Sequence, residues 1–282
     1  MKKIILIFAA SLFVSFSLFS NDLPQNERCI TETEGSPFSV SPLGDGIAIG
    51  VLGATALTSY LLPKIVSMPE YYEFSYNLDD VNPLDRKFAR KYSRDIDHLG
   101  DLSVAFSYCL VPAVFGAQWF SDNLETKEGL KIAAMYAETV LATQTAKCLL
   151  KTAIKRKRPY MYFDGYPADE LEDYDFEFSL PSGHTTDAFM NAAFLSYTFC
   201  KYYPESNFKI PVIASAYSVA AVTAGLRVGS GNHFVTDTIA GAALGSAIGF
   251  AIPWLHTLSN RISTDKTQVS LMPTAVNLKI QL

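Results

Sequence analysis

Three short blocks of sequence carry side chains able to handle an anion. The first runs from Lys151 to Pro159 (KTAIKRKRP), the second is Pro181-Ser182-Gly183-His184, and the third runs from Arg227 to Asp237 (RVGSGNHFVTD). Lys151 and Arg158 are seven residues apart, so two helical turns place both cations on one face, with Pro159 ending that helix. Lys155, Arg156 and Lys157 fall mostly on other faces, where they solvate the surface or meet anionic lipid head groups, and no catalytic role is expected of them. Pro181-Ser182-Gly183 directly precedes an apolar helix beginning near His184. The backbone N–H groups of that helix start face an anion without needing a side chain, and glycine lets the backbone come close. In the third block His233 and Asp237 stand at i and i+4 on a helix start. There the carboxylate accepts the proton of one ring nitrogen and leaves the other lone pair outward, which makes the imidazole a better nucleophile. Arg227 supplies a planar fork to the same anion.

Each block alone has a plainer reading: a solvated helix end before proline, a serine N-cap with a surface histidine, an ordinary surface His–Asp pair. Together they supply three cations, a helix N-terminus and two histidines. That set suits a phosphoryl group in the absence of a metal: positive charge meets the equatorial oxygens, one histidine attacks and the other protonates the leaving oxygen. No carboxylate cluster resembling a two-metal site accompanies them, so no metal and no other cofactor is expected.

The order Lys-x6-Arg-Pro, Pro-Ser-Gly-His, Arg-x5-His-x3-Asp, ten fixed identities in sequence, resembles the type 2 phosphatidic acid phosphatase and vanadium haloperoxidase superfamily, in its bacterial phosphatase branch. The resemblance covers about residues 130 to 256. It implies phosphate contacts from Lys151, Arg158, Ser182, Gly183 and Arg227, acid catalysis by His184, and a His233 nucleophile oriented by Asp237. One departure is Leu226, where the family commonly has serine before the arginine; this puts a supporting hydrogen bond in doubt, not the nucleophile.

The elements that must position these residues are helical. Apolar segments lie at roughly 46–63, 102–120, 130–150, 186–203, 210–226 and 238–256, and six helices are the natural reading. The expected fold is all-α, a six-helix bundle of the type 2 phosphatidic acid phosphatase kind, with a short extended C-terminal tail. The stretch 79–101 is charged at helical spacing and reads as a surface helix. Weak alternation after Thr264 (Val269, Leu271, then Val276, Leu278, Ile280) suggests a short strand or extended arm. No internal repeat is visible. The expected organisation is a signal peptide over 1–20, a polar segment over 21–42, the helical domain over 43–260 and a tail over 261–282.

With 282 residues, 49% hydrophobic and 18% charged, the chain can bury one sizeable core. Net charge is -5 and pI near 5.4, which disfavours nucleic-acid binding. Lys2 and Lys3, the apolar run from Ile4 to Phe19 and small residues before Asn21 have the layout of a secretory signal, with an uncleaved anchor as the alternative. The expected location is therefore outside the cytoplasm, in the periplasm or cell envelope, either membrane-associated or integral to the inner membrane. Mean hydropathy is +0.15, and removing the signal leaves the rest near zero, which favours a soluble or peripheral bundle over six spans. Helix parity favours the same form: with an outside N-terminus and six spans, the chemistry would begin on the cytoplasmic side. Cys29, Cys109, Cys148 and Cys200 form no metal-ligand spacing and their pairing is open; three lie in apolar helices and read as buried thiols.

The expected reaction is hydrolysis of phosphate monoesters through a phosphohistidine. The partner is a phosphorylated substrate: a lipid phosphate, a prenyl pyrophosphate or a small soluble monoester. Between the first two blocks Tyr160, Tyr162, Phe163, Tyr166, Tyr174, Phe176 and Phe178 offer aromatic surface to an acyl or prenyl chain, or else pin the loop to the bundle. The competing functions are a vanadium-dependent haloperoxidase, in which His233 would ligate the metal oxide, and a non-catalytic phosphate-binding membrane protein. Transfer to an alcohol acceptor is a further variant.

Overall fold

The computed structural model describes residues 35–66, 76–165, 175–264, 267–272 and 275–280. The signal segment and Cys29 lie outside the described residues, as do Tyr166 and Tyr174 of the aromatic loop. Among the described residues the chain forms α1 (Pro42–Val66), a 3-10 turn (Leu78–Asp80), α2 (Pro83–Phe88), α3 (Arg94–Phe120), α4 (Thr126–Ile154), α5 (Gly183–Tyr202), α6 (Lys209–Gly229) and α7 (Val235–Thr264). Strands β1 (Thr267–Met272) and β2 (Ala275–Ile280) follow. The six apolar segments all lie in long helices. The tail pairs as an antiparallel hairpin, with Thr267 opposite Ile280 and Met272 opposite Ala275.

The charged stretch 79–101 is not one surface helix. Pro83 at the first position of α2 and the Asn82 side chain, which accepts the Asp85 N–H at 3.0 Å, start a six-residue helix that ends at Phe88. The chain is extended through Ala89–Ser93, and residues 94–101 are the opening turns of α3. Asp85 is fully buried and Gly100 is buried, because one side of this segment packs against an end of the bundle while most of its other residues face solvent.

Helix order explains why the three blocks meet. Short connections at 121–125 and 203–208 reverse the chain at one end. The connections 155–182 and 230–234 reverse it at the other. The N-termini of α3, α5 and α7 and the C-termini of α4 and α6 therefore gather at a single end. α5 and α7 run side by side in the same direction and very close together. A Cβ added at Gly241, Gly245 or Gly249 would lie 2.7 Å from the Ser182 carbonyl oxygen, 2.1 Å from that of Thr186 and 2.4 Å from that of Met190. Glycine every fourth residue thus gives α7 a bare face on which α5 rests, and the advance of four on each helix fixes their register. Elsewhere the core holds large side chains, among them Phe38, Phe115, Met135, Phe194 and Tyr202. Each contributes roughly 1.5–3 kcal/mol through buried apolar surface.

Helices Arg94–Phe120, Lys209–Gly229 and Val235–Asn260 are long and apolar enough to cross a membrane, and only 33% of the most apolar stretch of each is buried inside the protein. Leu102, Phe120, Ile210 and Ile239 are more than half exposed. This outward apolar surface supports membrane association and weighs against a soluble bundle, because average hydropathy hides apolar faces that point outward. Cys109 is also exposed on α3, and Cys148 and Cys200 are half-buried, so the expectation of buried thiols does not hold.

Candidate active site

Lys151 and Arg158 converge by a different route from two turns of one helix. Helix α4 stops at Ile154, and Lys155 takes a left-handed conformation (φ 49°) that caps it, its N–H bonding the Lys151 carbonyl at 3.0 Å. The chain turns there, and Arg158 returns as the residue before the Pro159–Tyr162 3-10 helix. Its Nε donates to the Asp175 carbonyl at 2.9 Å, one terminal nitrogen to Asn232 Oδ1 at 3.1 Å, and the other pairs with the Asp175 carboxylate. Arg158 is buried. The Lys151 ammonium lies beside the start of α5, 3.6 Å from where a Gly183 Cβ would stand. Burial, reinforced by Arg158 and Lys147, pushes its pKa down to about 8 against the opposing pull of Asp175. Partial desolvation of the half-exposed Asp175 works against its ionisation, yet Arg158 and Lys151 hold its carboxyl well below the usual carboxylate range.

His233 does not lie in the helix. It precedes Val235, the first residue of α7, in a turn held by its N–H to the Arg227 carbonyl at 3.1 Å. Gly231 makes that turn feasible: its φ is 78°, and a Cβ there would lie 2.6 Å from the Arg90 carbonyl oxygen. The His233 ring is buried, with Nδ1 2.8 Å from the Ser179 carbonyl oxygen. A carbonyl only accepts, so Nδ1 carries the proton and Nε2 keeps the lone pair. Burial and the charges of Arg158, Arg227 and Lys151 hold its pKa well below the ordinary histidine value, so the ring is neutral.

Asp237 in the first turn of α7 has its nearer oxygen 3.9 Å from His233 Nδ1, beyond hydrogen-bond reach. The orienting acceptor is instead the Ser179 carbonyl. Asp237 holds that residue in place, accepting from Ser179 Oγ at 2.5 Å and from the Phe234 N–H at 2.8 Å, while its own carbonyl accepts the Ser182 N–H at 3.0 Å. Ser182 is fully buried with Oγ against Thr185, so the Gly183–His184 helix start is what presents N–H groups toward an anion.

Arg227 at the end of α6 is buried, one terminal nitrogen pairing with Asp97 and lying 3.6 Å from Asp101. Gly100 leaves room for it, since a Cβ there would lie 3.1 Å from the guanidinium. Arg227 Nε is buried and has no hydrogen-bond partner among the described residues. His184 Nε2 is 2.8 Å from Asp101 Oδ1, and burial outweighs this contact to hold its pKa below the ordinary histidine value. The structure therefore gathers Lys151, Arg158, Gly183, His184, Arg227 and His233 at one place, with Ser182 and Asp237 behind them.

Residues 132–261 match the model of the PAP2 superfamily, which takes in all three blocks from Lys151 to Asp237. A transmembrane PAP2 type phosphatidylglycerolphosphate phosphatase from Bacillus subtilis is similar to the chain at 20% identity and a TM-score of 0.39, over 89% of this chain and 94% of that one. No curated protein matches the chain.

Sequence reasoning missed several residues of the matched segment and of the helices before it. Arg156, read as a surface cation, donates to Asp237 at 2.5 Å and to Asp85 at 2.7 Å, and its guanidinium lies 4.4 Å from the centre of the Phe234 ring. Asp85 in turn accepts from the N–H and hydroxyl of Thr236 at 2.9 and 2.6 Å. The network ties α2 to the start of α7. Lys147, one turn before Lys151, stands beside Gly183 but is neutralised by Asp187 at 2.6 Å. Of the aromatics, Tyr160 and Phe176 are buried and Tyr162 packs tilted against Tyr76 and edge-on against Phe234, so these rings pin the loop to the bundle. The only available sequence signals were the even spacing of Asp97 and Asp101, one helical turn apart, and a second arginine two residues before Arg158.

This geometry makes Asp237→Asn a change felt through neighbours. An amide would set its NH2 either against Arg156 or against the Ser179 and Phe234 donors, so one charged hydrogen bond is lost, about 1.5–3 kcal/mol. A lower unfolding midpoint together with a drop in kcat/KM of at least about tenfold is expected, since 1.4 kcal/mol of lost positioning corresponds to that factor. Calorimetry and phosphate release on one preparation check it; an unchanged midpoint contradicts the hub role.

Proposed function

We propose that the chain is a phosphatase of lipid phosphate monoesters that works through a phosphohistidine on His233 without a catalytic metal, at the cell envelope. The observation that carries this reading is the convergence of Lys151, Arg158 and Arg227 on one buried, neutral histidine whose lone pair is fixed on Nε2. The unpartnered Nε of Arg227 supports it, because a phosphate oxygen would satisfy that buried donor. The outward apolar faces of α3, α6 and α7 favour a substrate carried in a membrane over a soluble one.

Nε2 of His233 attacks phosphorus while the bond to the leaving oxygen breaks. His184, in its protonated form, gives that oxygen a proton and becomes the base that takes one from the incoming water. Water then cleaves the phosphorus–nitrogen bond and frees phosphate. The cations and the α5 N-terminus meet the charge spread over the equatorial oxygens throughout. Among the described residues, the group of ligating side chains able to hold a metal lies elsewhere in the bundle.

Release of phosphate from a phosphorylated diacylglycerol in detergent micelles should persist in excess chelator and be inhibited by vanadate, which adopts the five-coordinate shape of the transition state. Loss of turnover on chelation, restored by a divalent ion, would sink the metal-free mechanism, and peroxide-dependent bromination would favour the haloperoxidase reading. The pH profile adds a signed expectation. His233 must be neutral, and its pKa is held well below 6.5, so the rising limb lies far on the acid side. His184 must be protonated, and its pKa is also lowered from 6.5, so kcat/KM for alkyl phosphates falls as pH rises through a value under 6.5. A maximum of kcat/KM above neutrality contradicts this assignment.

A further inference from the structure

A second group of ionisable side chains is sealed inside the bundle, away from the catalytic end. Asp45 from the first turn of α1, Glu138 from the middle of α4 and His256 from late in α7 are 4%, 0% and 3% exposed, and the ligand atoms they offer lie within 4.8 Å of one another. His256 follows Asp237 by nineteen residues on the same helix, roughly 28 Å at 1.5 Å per residue. The phosphate chemistry makes no use of these groups.

Their hydrogen bonds leave a deficit of positive charge. His256 Nδ1 donates to the Ser39 carbonyl at 2.7 Å, and its Nε2 is 2.8 Å from Glu138 Oε2. Asp45 Oδ2 accepts the Ser41 N–H. Glu138 Oε1 is buried with no hydrogen-bond partner among the described residues. No lysine or arginine among them pairs with either carboxylate. Protonating His256 would satisfy Nε2 and Oε2, yet it leaves Oε1 orphaned and one buried negative charge without a counter-charge. Such burial is costly. A divalent cation answers both deficits, taking Oε1 and the Nε2 lone pair and balancing two carboxylates.

We propose that Asp45, Glu138 and His256 bind a divalent transition-metal ion such as Zn2+ or Mn2+. The imidazole in the set selects against Mg2+ and Ca2+, which prefer oxygen alone. The Ser39 carbonyl fixes the tautomer and ring orientation, as backbone carbonyls do for metal-bound histidines. The ion would clasp the start of α1 to α4 and α7.

The test uses the full chain in detergent, stripped with chelator, dialysed, and given Zn2+ or Mn2+ alone. About one ion per chain should be retained, measured by elemental analysis, and the unfolding midpoint should rise by about 5–10 °C when the ion is ~100-fold above its Kd. Mg2+ should give no shift. Glu138→Gln and His256→Gln should lose both the ion and the shift. Asp45→Asn, which keeps an oxygen to cap α1, should weaken binding by at least about tenfold even if the two deeper variants fail to fold. A wild-type chain that binds no ion, or a Glu138→Gln chain that keeps a full equivalent, overturns the proposal. Because the clasp is remote from His233, chelation should lower the midpoint while phosphate release at low temperature continues, so this site and the metal-free mechanism fail by different readouts.

Discussion

His233→Ala should abolish phosphate release from every substrate, with a loss of at least about 10^4-fold, the scale seen when a nucleophile is removed. Among the described residues of the site, no other side chain presents a lone pair fixed by a backbone acceptor, and the buried ring is neutral without needing a base to deprotonate it. His184→Ala should behave differently. An alkyl phosphate leaves as a basic alkoxide and needs its proton, so the loss should reach about 10^2–10^4-fold. Nitrophenolate is stable as it departs, so the loss on nitrophenyl phosphate should stay within about tenfold. The decisive quantity is the ratio of the two losses. If His184→Ala slowed both substrates equally, or His233→Ala kept substantial turnover, the division of labour would be wrong even though the family likeness stood.

Gly245→Val should be the most damaging change outside the catalytic residues. A Cβ at that position would lie 2.1 Å from the Thr186 carbonyl oxygen and 2.9 Å from the Met190 nitrogen, both backbone atoms of α5. Nothing flexible can yield, so the two helices must separate. Overpacking of this kind costs about 1–3 kcal/mol and sometimes more, and the branched side chain adds to the alanine effect. Activity should fall with stability, because the same contact sets His233 and Asp237 against Ser182 and His184. Gly225→Ala is the control: its Cβ would meet nothing within 4 Å, and alanine there should stabilise α6 by about 0.4–1 kcal/mol. Unfolding midpoints and kcat/KM of the two variants decide the matter. Equal midpoints would show that the glycine stripe does not set the packing.

The sequence made the helices legible because each carries a long apolar run, and it made the anion-handling residues legible because their identities recur in a fixed order. Their partners were hidden for a physical reason. Asp97, Asp101 and Asp85 sit in a charged stretch that looks solvated, and only the fold brings Arg227, His184 and Arg156 to them. Spacing alone also misjudged two local geometries. It carried the helix on to Arg158, where a left-handed Lys155 ends it four residues earlier, and it put Asp237 on His233, where a backbone carbonyl stands closer. Main-chain acceptors and chain reversals leave little trace in residue types. Outward apolar faces were missed because an average over the chain mixes them with the polar end.

The pairing of both arginines with carboxylates changes what substrate binding is. Arg158 holds Asp175, and Arg227 holds Asp97, before any phosphate arrives. Entry is therefore an anion exchange, in which the incoming group displaces internal counterions and gains only the difference. A singly charged ligand would offer the arginines little that the carboxylates do not. A phosphoryl group in its trigonal-bipyramidal state spreads charge over three oxygens at once and gains the most from the exchange, so the same ion pairs that weaken ground-state binding favour the transition state.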